Sequence, residues 1–229
     1  MMEPSELAAL ARMLTAKILV VDDDPFIQGI LQRYLRELDG DTVVVASDGL
    51  EALEILSKQK IIAVITDFSM PGADGIELLQ RIRTGLMDIP RGLPVIMLTG
   101  FSDLGVVSRA IALDVDAFVL KPISKETLWT RLRQVLSTPR DLKSVEAYER
   151  IVANASAPAA LLRRRQINRT GGRFVGIDEV PATAILAEDI MTPAGELLMN
   201  AGIQLNVKLI GYLRDLRNIG VDVGAIYIE

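Results

Sequence analysis

From Lys17 to Ser137, short apolar runs rich in β-branched residues alternate with longer stretches whose apolar residues recur every three or four positions. Five runs have strand length: Lys17–Val21, Thr42–Ala46, Ile61–Thr66, Leu93–Leu98 and Asp116–Leu120. Most are apolar on both faces, as a strand covered on both sides of a parallel sheet must be. Between them, Ile27, Ile30, Leu31, Tyr34, Leu35 and Leu38 line one side of a helix, and Leu50, Leu53 and Leu56 line one side of another. Further helices are expected over Asp74–Arg83, Asp103–Leu113 and Ser124–Leu136, with Asp74, Asp103 and Ser124 as N-caps. The pattern is five βα repeats, hence an α/β domain over 17–137 built on a five-strand parallel sheet.

After Ser137 the pattern changes. Thr138-Pro-Arg-Asp141 is a turn-rich break, and Leu142–Arg165 reads as a helix interrupted at Pro158. A second break at Gly171-Gly172 precedes expected strands over Thr183–Ile190, Gly195–Met199 and Gly224–Ile228 and a helix over Val207–Leu216. Leu198, Ile203, Leu209 and Leu213 are its candidate core. The expected organisation is therefore a helical N-terminal extension (1–16), the α/β domain (17–137), a helical connector (138–170) and a small mixed α+β unit (171–229).

Composition narrows the chemistry. Cysteine and histidine are both absent from the 229 residues, which removes disulfides, thiol chemistry, imidazole ligands and imidazole bases. Carboxylates, hydroxyls, lysines and arginines remain. The net charge of −5 offers no global attraction to nucleic acid or to an anionic membrane. No apolar run approaches the roughly 18 residues of a membrane span, and Met1–Ala16 carries Glu3 and Glu6 rather than a basic leader. The expected location is the cytoplasm, with no membrane partner.

Two acidic clusters come directly after strands: Asp22-Asp23-Asp24 after the first and Asp67 after the third. Open α/β sheets bind ligands at the carboxyl ends of their strands, so the clusters should converge. Converging carboxylates repel one another, which raises a pKa or demands a cation, and an all-oxygen donor set favours magnesium. The alternative is that Asp22–Asp24 only cap the helix that Pro25 begins. Lys121-Pro122 at the end of the fifth strand tips the balance to a functional site.

The segments Ile18-Leu-Val-Val-Asp-Asp-Asp-Pro25, Asp67-Phe-Ser-Met-Pro-Gly-Ala-Asp-Gly75, Met97-Leu-Thr-Gly100 and Phe118-Val-Leu-Lys-Pro122 resemble those of the response-regulator receiver family. The resemblance covers the whole first domain. It implies a flavodoxin-like, doubly wound fold in which an aspartate, here Asp67, accepts a phosphoryl group from the phosphohistidine of a sensor histidine kinase or phosphotransfer protein. It further implies magnesium, with manganese as a substitute, bound by the side chains of Asp23 and Asp67, by Asp22 mainly through water, and by the backbone carbonyl of Ser69. Lys121 would neutralise phosphoryl charge and Thr99 would hydrogen-bond a phosphoryl oxygen, the positioning and electrostatic work on which phosphoryl transfer depends. Thr99 and Phe118 would form the switch, Asp24 would stand aside, and Lys121-Pro122 would be cis. Gly100 would leave room for a kinase or a small phosphodonor, while Ser69 and Phe101 occupy positions that tune the lifetime of the phosphorylated form.

Competing readings fit less well. A haloacid-dehalogenase-type phosphatase needs a second Asp two residues after the nucleophile, where this chain has Ser69, and no glycine-rich phosphate loop occurs. A pseudo-receiver would lack one of the acidic or lysine positions, all of which are present. The chain is therefore not expected to be an enzyme beyond magnesium-dependent self-phosphorylation and slow autodephosphorylation. For the output, Ala184–Ile190, Gly195–Gly202, the helix after them and Ile219-Gly-Val221 resemble the small module beside HD-GYP phosphodiesterase domains. Without histidine, hydrolysis does not transfer with that resemblance. The favoured output is protein–protein interaction or homodimerisation through 142–229. The alternative is a DNA-binding transcription regulator using Arg163, Arg164 and Arg165, which lacks a second helix for a helix-turn-helix.

Overall fold

The computed structural model describes residues 17–36, 42–100, 109–155, 172–191, 197–199, 201–218 and 222–229. The extension 1–16, residues 103–108 of the expected fourth helix, Phe101, Pro158, Gly171, Arg163–Arg165 and Gly195 lie outside them. The described residues form two compact units, one ending at Asn154 and the other covering the C-terminal part from 172.

In the first unit β1 (Lys17–Val21), β2 (Val43–Ala46), β3 (Ile61–Asp67), β4 (Val95–Thr99) and β5 (Ala117–Leu120) form one parallel sheet in the order β2-β1-β3-β4-β5. This is the doubly wound, flavodoxin-like order, and the strand sequence reverses between β1 and β3. Helices α1 (Pro25–Leu35), α2 (Gly49–Lys58), α3 (Gly75–Thr84) and α4 (Lys125–Ser137) connect and cover the strands. Ile18, Val20, Ile65, Leu98 and Val119 meet Leu31, Leu35, Leu128 and Leu132 in one fully enclosed core. Each such side chain contributes about 1.5–3 kcal/mol by leaving water.

The helix starts are set by their caps. Asp74 accepts the Glu77 N–H at 2.7 Å and Ser124 accepts the Thr127 N–H at 3.1 Å, each satisfying a donor that the first helical turn leaves open. Asp48 accepts from both Leu50 and Glu51. One expectation fails on α2: Leu50 does not face the core with Leu53 and Leu56 but is 56% exposed. The buried face runs through Gly49, Ala52, Leu53 and Leu56, and Gly49 rests so close to Ala73 that its backbone, rather than the Leu50 side chain, makes the inward contact.

A fifth helix, α5 (Val145–Ala155), also belongs to the first unit. Its Tyr148 is fully buried and donates to Asp114 Oδ2 at 2.8 Å. Lys143 and Arg140, from the segment before it, reach Asp114 and Asp116 at 2.5 Å each.

The second unit holds two antiparallel pairs, β6 (Arg173–Val175) with β9 (Ile226–Ile228) and β7 (Ile190–Met191) with β8 (Leu197–Met199), and one α-helix, α6 (Val207–Asn218), among its described residues. The strand expected over Thr183–Ile190 is broken: Ile185 and Leu186 make single bridges, and only Ile190 enters a ladder. The segment pairs piecewise because its hydrogen bonds go to different partners, Leu186 to Ile203 and Ala187 to Tyr227. Leu209 and Leu213 are buried as expected, as are Tyr212, Leu216 and Ile226, whereas Ile203 is only half-buried. The side chain of Leu198 lies outside the described part.

Candidate functional site

The site lies at the carboxyl ends of the strands, at the reversal of strand order. There Asp22 follows β1 and Asp67 ends β3, so the sheet order itself brings the two acidic clusters together. Asp22, Asp23 and Asp67 each offer a carboxylate oxygen within 4.8 Å of the others. Asp22 and Asp67 are 1% and 7% exposed, whereas Asp23 faces solvent. Lys121, at the end of β5, places its Nζ 2.7 Å from Asp67 Oδ1 and 3.3 Å from Asp22 Oδ2.

The charge count is unbalanced. Three carboxylates against one ammonium leave two negative charges, which a divalent cation would cancel. Burial raises Asp67 above the ordinary carboxylate value and the charge of Asp22 adds to this; the bond and charge of Lys121 and the Phe68 N–H oppose it. Burial also works against the Lys121 ammonium, yet its bond to Asp67 and the charges of Asp67 and Asp22 outweigh that and hold it above its usual value. The lysine shift reports the attraction within the pair, and the aspartate shift reports that burial outweighs that attraction at Asp67. An all-oxygen donor set with surplus negative charge fits a magnesium ion.

The loop after β3 is held close to Asp67 by a glycine. Gly75 opens α3 with its N–H bonded to Phe68 O at 3.1 Å, and a Cβ built there would stand 2.3 Å from Asp67 O. Only glycine permits that approach. The sequence signal was a glycine at the first turn of a helix, directly after the Asp74 cap, where nearly any other residue is a better helix former.

The other expected residues take varied places. Asp24 caps α1, accepting the Phe26 N–H at 2.8 Å, and Asp22 Oδ1 accepts the Asp24 N–H at 2.9 Å. Thr99, 1% exposed, ends β4 and donates its hydroxyl to Gly100 O at 3.2 Å. Its carbonyl accepts the Lys121 N–H at 2.9 Å, which joins the two strand ends. Phe118 is buried within β5, and its partner in register is Met97. Ser69 is exposed on the loop after Asp67. The Lys121-Pro122 peptide bond is cis. Arg163, Arg164 and Arg165 lie outside the described residues.

A second charged assembly, which the sequence did not reveal, occupies the opposite end of the sheet. Arg83, fully buried, donates to Arg91 O and Leu93 O at 2.8 Å, to Asp114 O at 2.9 Å and to Asp116 Oδ2 at 2.7 Å. Asp116 also accepts the Val95 N–H at 2.8 Å and pairs with Arg140. Burial pulls the Arg83 guanidinium below its ordinary value, and the Asp116 charge opposes it.

Comparison with known proteins identifies the family of the first unit. The family described as "Response regulator receiver domain" matches residues 18–133. Chemotaxis protein CheY-3 of Vibrio cholerae is 35% identical over 119 residues, covering 52% of this chain and 90% of that protein. Response regulator MprA of Mycobacterium ulcerans is 32% identical over 161 residues, 70% of this chain and 67% of that protein. Among solved structures, a response regulator receiver domain protein from Clostridium thermocellum is 32% identical with a TM-score of 0.47, covering 53% of this chain and 94% of that one. No helix among the described residues is long and apolar enough to cross a membrane.

Proposed function

We propose that this chain, which belongs to the response regulator receiver domain family, accepts a phosphoryl group on Asp67 from the phosphohistidine of a sensor kinase or phosphotransfer protein and thereby switches a partner interaction. The observation that carries the reading is Lys121 Nζ 2.7 Å from Asp67 Oδ1, in a cluster where Asp22 and Asp23 add surplus negative charge. An ionised carboxylate needs no base to attack phosphorus. As the Asp67 oxygen bonds to phosphorus, the bond to the donor imidazole breaks and that ring keeps the electron pair.

Asp22, Asp23, Asp67 and the Ser69 carbonyl would hold the magnesium ion, with manganese as a substitute. When bound, the ion supplies positive charge against the phosphoryl oxygens. Lys121 neutralises a further oxygen from the β5 side, and partial burial strengthens the attraction between them. Thr99 can exchange its single bond to Gly100 O for one to a phosphoryl oxygen. That exchange would draw on the β4 and β5 ends, with Phe118 buried further back along β5, and so bias a two-state face of the domain.

The C-terminal unit reads as a protein-binding or dimerisation module rather than a catalytic or DNA-binding one. In its support, Phe174 is 63% exposed and packs against Tyr227 in a tilted pair with ring centroids 4.7 Å apart, an aromatic surface of the kind enriched in protein interfaces. Its resemblance to the module beside HD-GYP domains adds scaffold character only.

The test is phosphoryl uptake from acetyl phosphate with Mg2+, read by intact mass. Wild-type protein is expected to gain one phosphoryl group, and Asp67→Asn none. Equal uptake by Asp67→Asn, or none by wild type from either acetyl phosphate or a kinase, would sink the proposal. Sedimentation of the phosphorylated chain with and without DNA then separates dimerisation from salt-sensitive DNA association.

A further inference from the structure

Asp23 differs from the other acidic residues of the site in having nothing to hold it. Asp22 is gripped by the Asp24 N–H and by Lys121, and Asp67 by Lys121. The Asp23 carboxylate is exposed and makes no hydrogen bond among the described residues. What the fold fixes is therefore the direction of its Cα–Cβ bond, through the two peptide units on either side of its Cα, and the carboxylate swings only about the bonds beyond it.

Both units are clamped. The 23–24 unit donates its N–H, that of Asp24, to Asp22 Oδ1 at 2.9 Å. The 22–23 unit presents the Asp22 carbonyl, which accepts the side-chain amide of Gln28 at 2.7 Å. The same Gln28 amide reaches Ala46 O at 3.2 Å, at the end of β2, while the Gln28 N–H bonds to Asp24 O at 3.0 Å. One side chain from the first turn of α1 thus ties the ends of β1 and β2 together and fixes the plane of the peptide that precedes Asp23. Two fixed planes determine φ and ψ at Asp23, and with them the direction of its Cβ.

We infer that Gln28 is a positioning residue for the metal site, acting through the Asp22 carbonyl to aim the Asp23 carboxylate at a divalent cation. The inference rests on the reading of Asp22, Asp23 and Asp67 as a cation site. A supporting contact of this kind characteristically changes metal affinity on the order of tenfold or more when it is removed. The contacts of Gln28 run from its amide nitrogen to two carbonyl oxygens, so what it holds is backbone.

The test is calorimetric titration of Mg2+ into the unphosphorylated full chain, paired with melting in EDTA. Gln28→Met keeps the length and neutrality of the side chain and removes the donor. It is expected to weaken Mg2+ on the order of tenfold and to lose most of the Mg2+-induced rise in Tm. If Gln28→Met melts lower in EDTA yet binds Mg2+ as wild type does, Gln28 is merely structural and the inference is overturned. Should that variant not fold, Gln28→Asn keeps an amide that falls one methylene short, and it is expected to shift Mg2+ affinity in the same direction by a smaller factor; an unchanged affinity overturns the inference equally. Wild-type protein that bound no Mg2+ would sink the site reading and this inference together, whereas wild-type binding matched by the variant sinks this inference alone.

Discussion

The two ends of the five-strand sheet both concentrate charge, and they handle it in opposite ways. At the carboxyl end, three carboxylates face one lysine, and burial pushes Asp67 up. At the amino end, Arg83 and Asp116 are 0% and 2% exposed, and Arg83 donates to three carbonyls and a carboxylate. Asp116 in turn meets Arg83, Arg140 and a backbone N–H. Charge left over is available for chemistry, and charge enclosed by ion pairs and carbonyl groups is available only for holding parts together. The amino end uses its matched charge to secure the chain beyond α4, because Arg140, Lys143 and Tyr148 all anchor there.

The sharpest way to break the comparison is to remove one group from each end. Asp67→Asn should reduce phosphoryl uptake to background while the protein stays folded, as judged by intact mass and circular dichroism. Arg83→Met should do the reverse. It leaves Asp116 short of a buried partner and should cost about 3–5 kcal/mol of stability by urea denaturation, with phosphoryl uptake per folded molecule retained. If Arg83→Met instead abolished uptake at temperatures where it is folded, the division of labour between the ends would be wrong.

Gly75→Ala tests the carboxyl end through its backbone. The added methyl group would stand 2.3 Å from Asp67 O, and relieving that clash should cost about 1–3 kcal/mol. Unlike Arg83→Met, it should also slow phosphoryl uptake, because Asp67 has to move. Tyr148→Phe loosens the amino end more gently. Its hydroxyl is pushed up to about 12, chiefly by burial and then by Asp114, so it is a neutral donor at any ordinary pH. Deleting it should cost about 0.5–1.5 kcal/mol, measurable as a lower urea midpoint, and leave uptake unchanged.

The smallest effect is the pH dependence of stability in EDTA. Asp67 binds its proton more tightly folded than unfolded, so protonation contributes stability that is fully present below 3.8, the ordinary value of the group, and is lost as pH rises through the raised folded value. Asp67→Asn has no such proton to lose. Its stability relative to wild type should therefore grow across that window and level off above it. A gap that shrank with rising pH would mean that Lys121 more than offsets the burial of Asp67.

Much of the acidic end was legible along the chain because its parts sit at strand ends, and strand ends can be read from local periodicity. Asp22, Asp23, Asp67, Thr99 and Lys121 each come after or close an apolar run, and the structure brings the three aspartates and Lys121 together. The basic end left no such trace. Arg83 looks like any cation in the last turn of a helix, and Asp116, 33 residues away, like a strand start. Neither residue type predicts a fully buried pair. Gln28 was silent too, because a glutamine in the first turn of a helix says nothing about which carbonyls lie above it. Leu50 misled in the other direction: spacing put it on the apolar face, but tight packing of Gly49 on Ala73 turned it to solvent.

The sequence by itself determined the local elements, their capping residues and the chemistry available, since periodicity, N-caps and composition act over a few residues. Tertiary structure alone decided that β1 lies beside β3, and with that choice the distance from Lys121 to Asp22 across 99 residues of chain. It also decided which charges would be matched and which left over. The physical reason is that a charge is balanced by its neighbours in space, and in a parallel sheet those neighbours come from other strands.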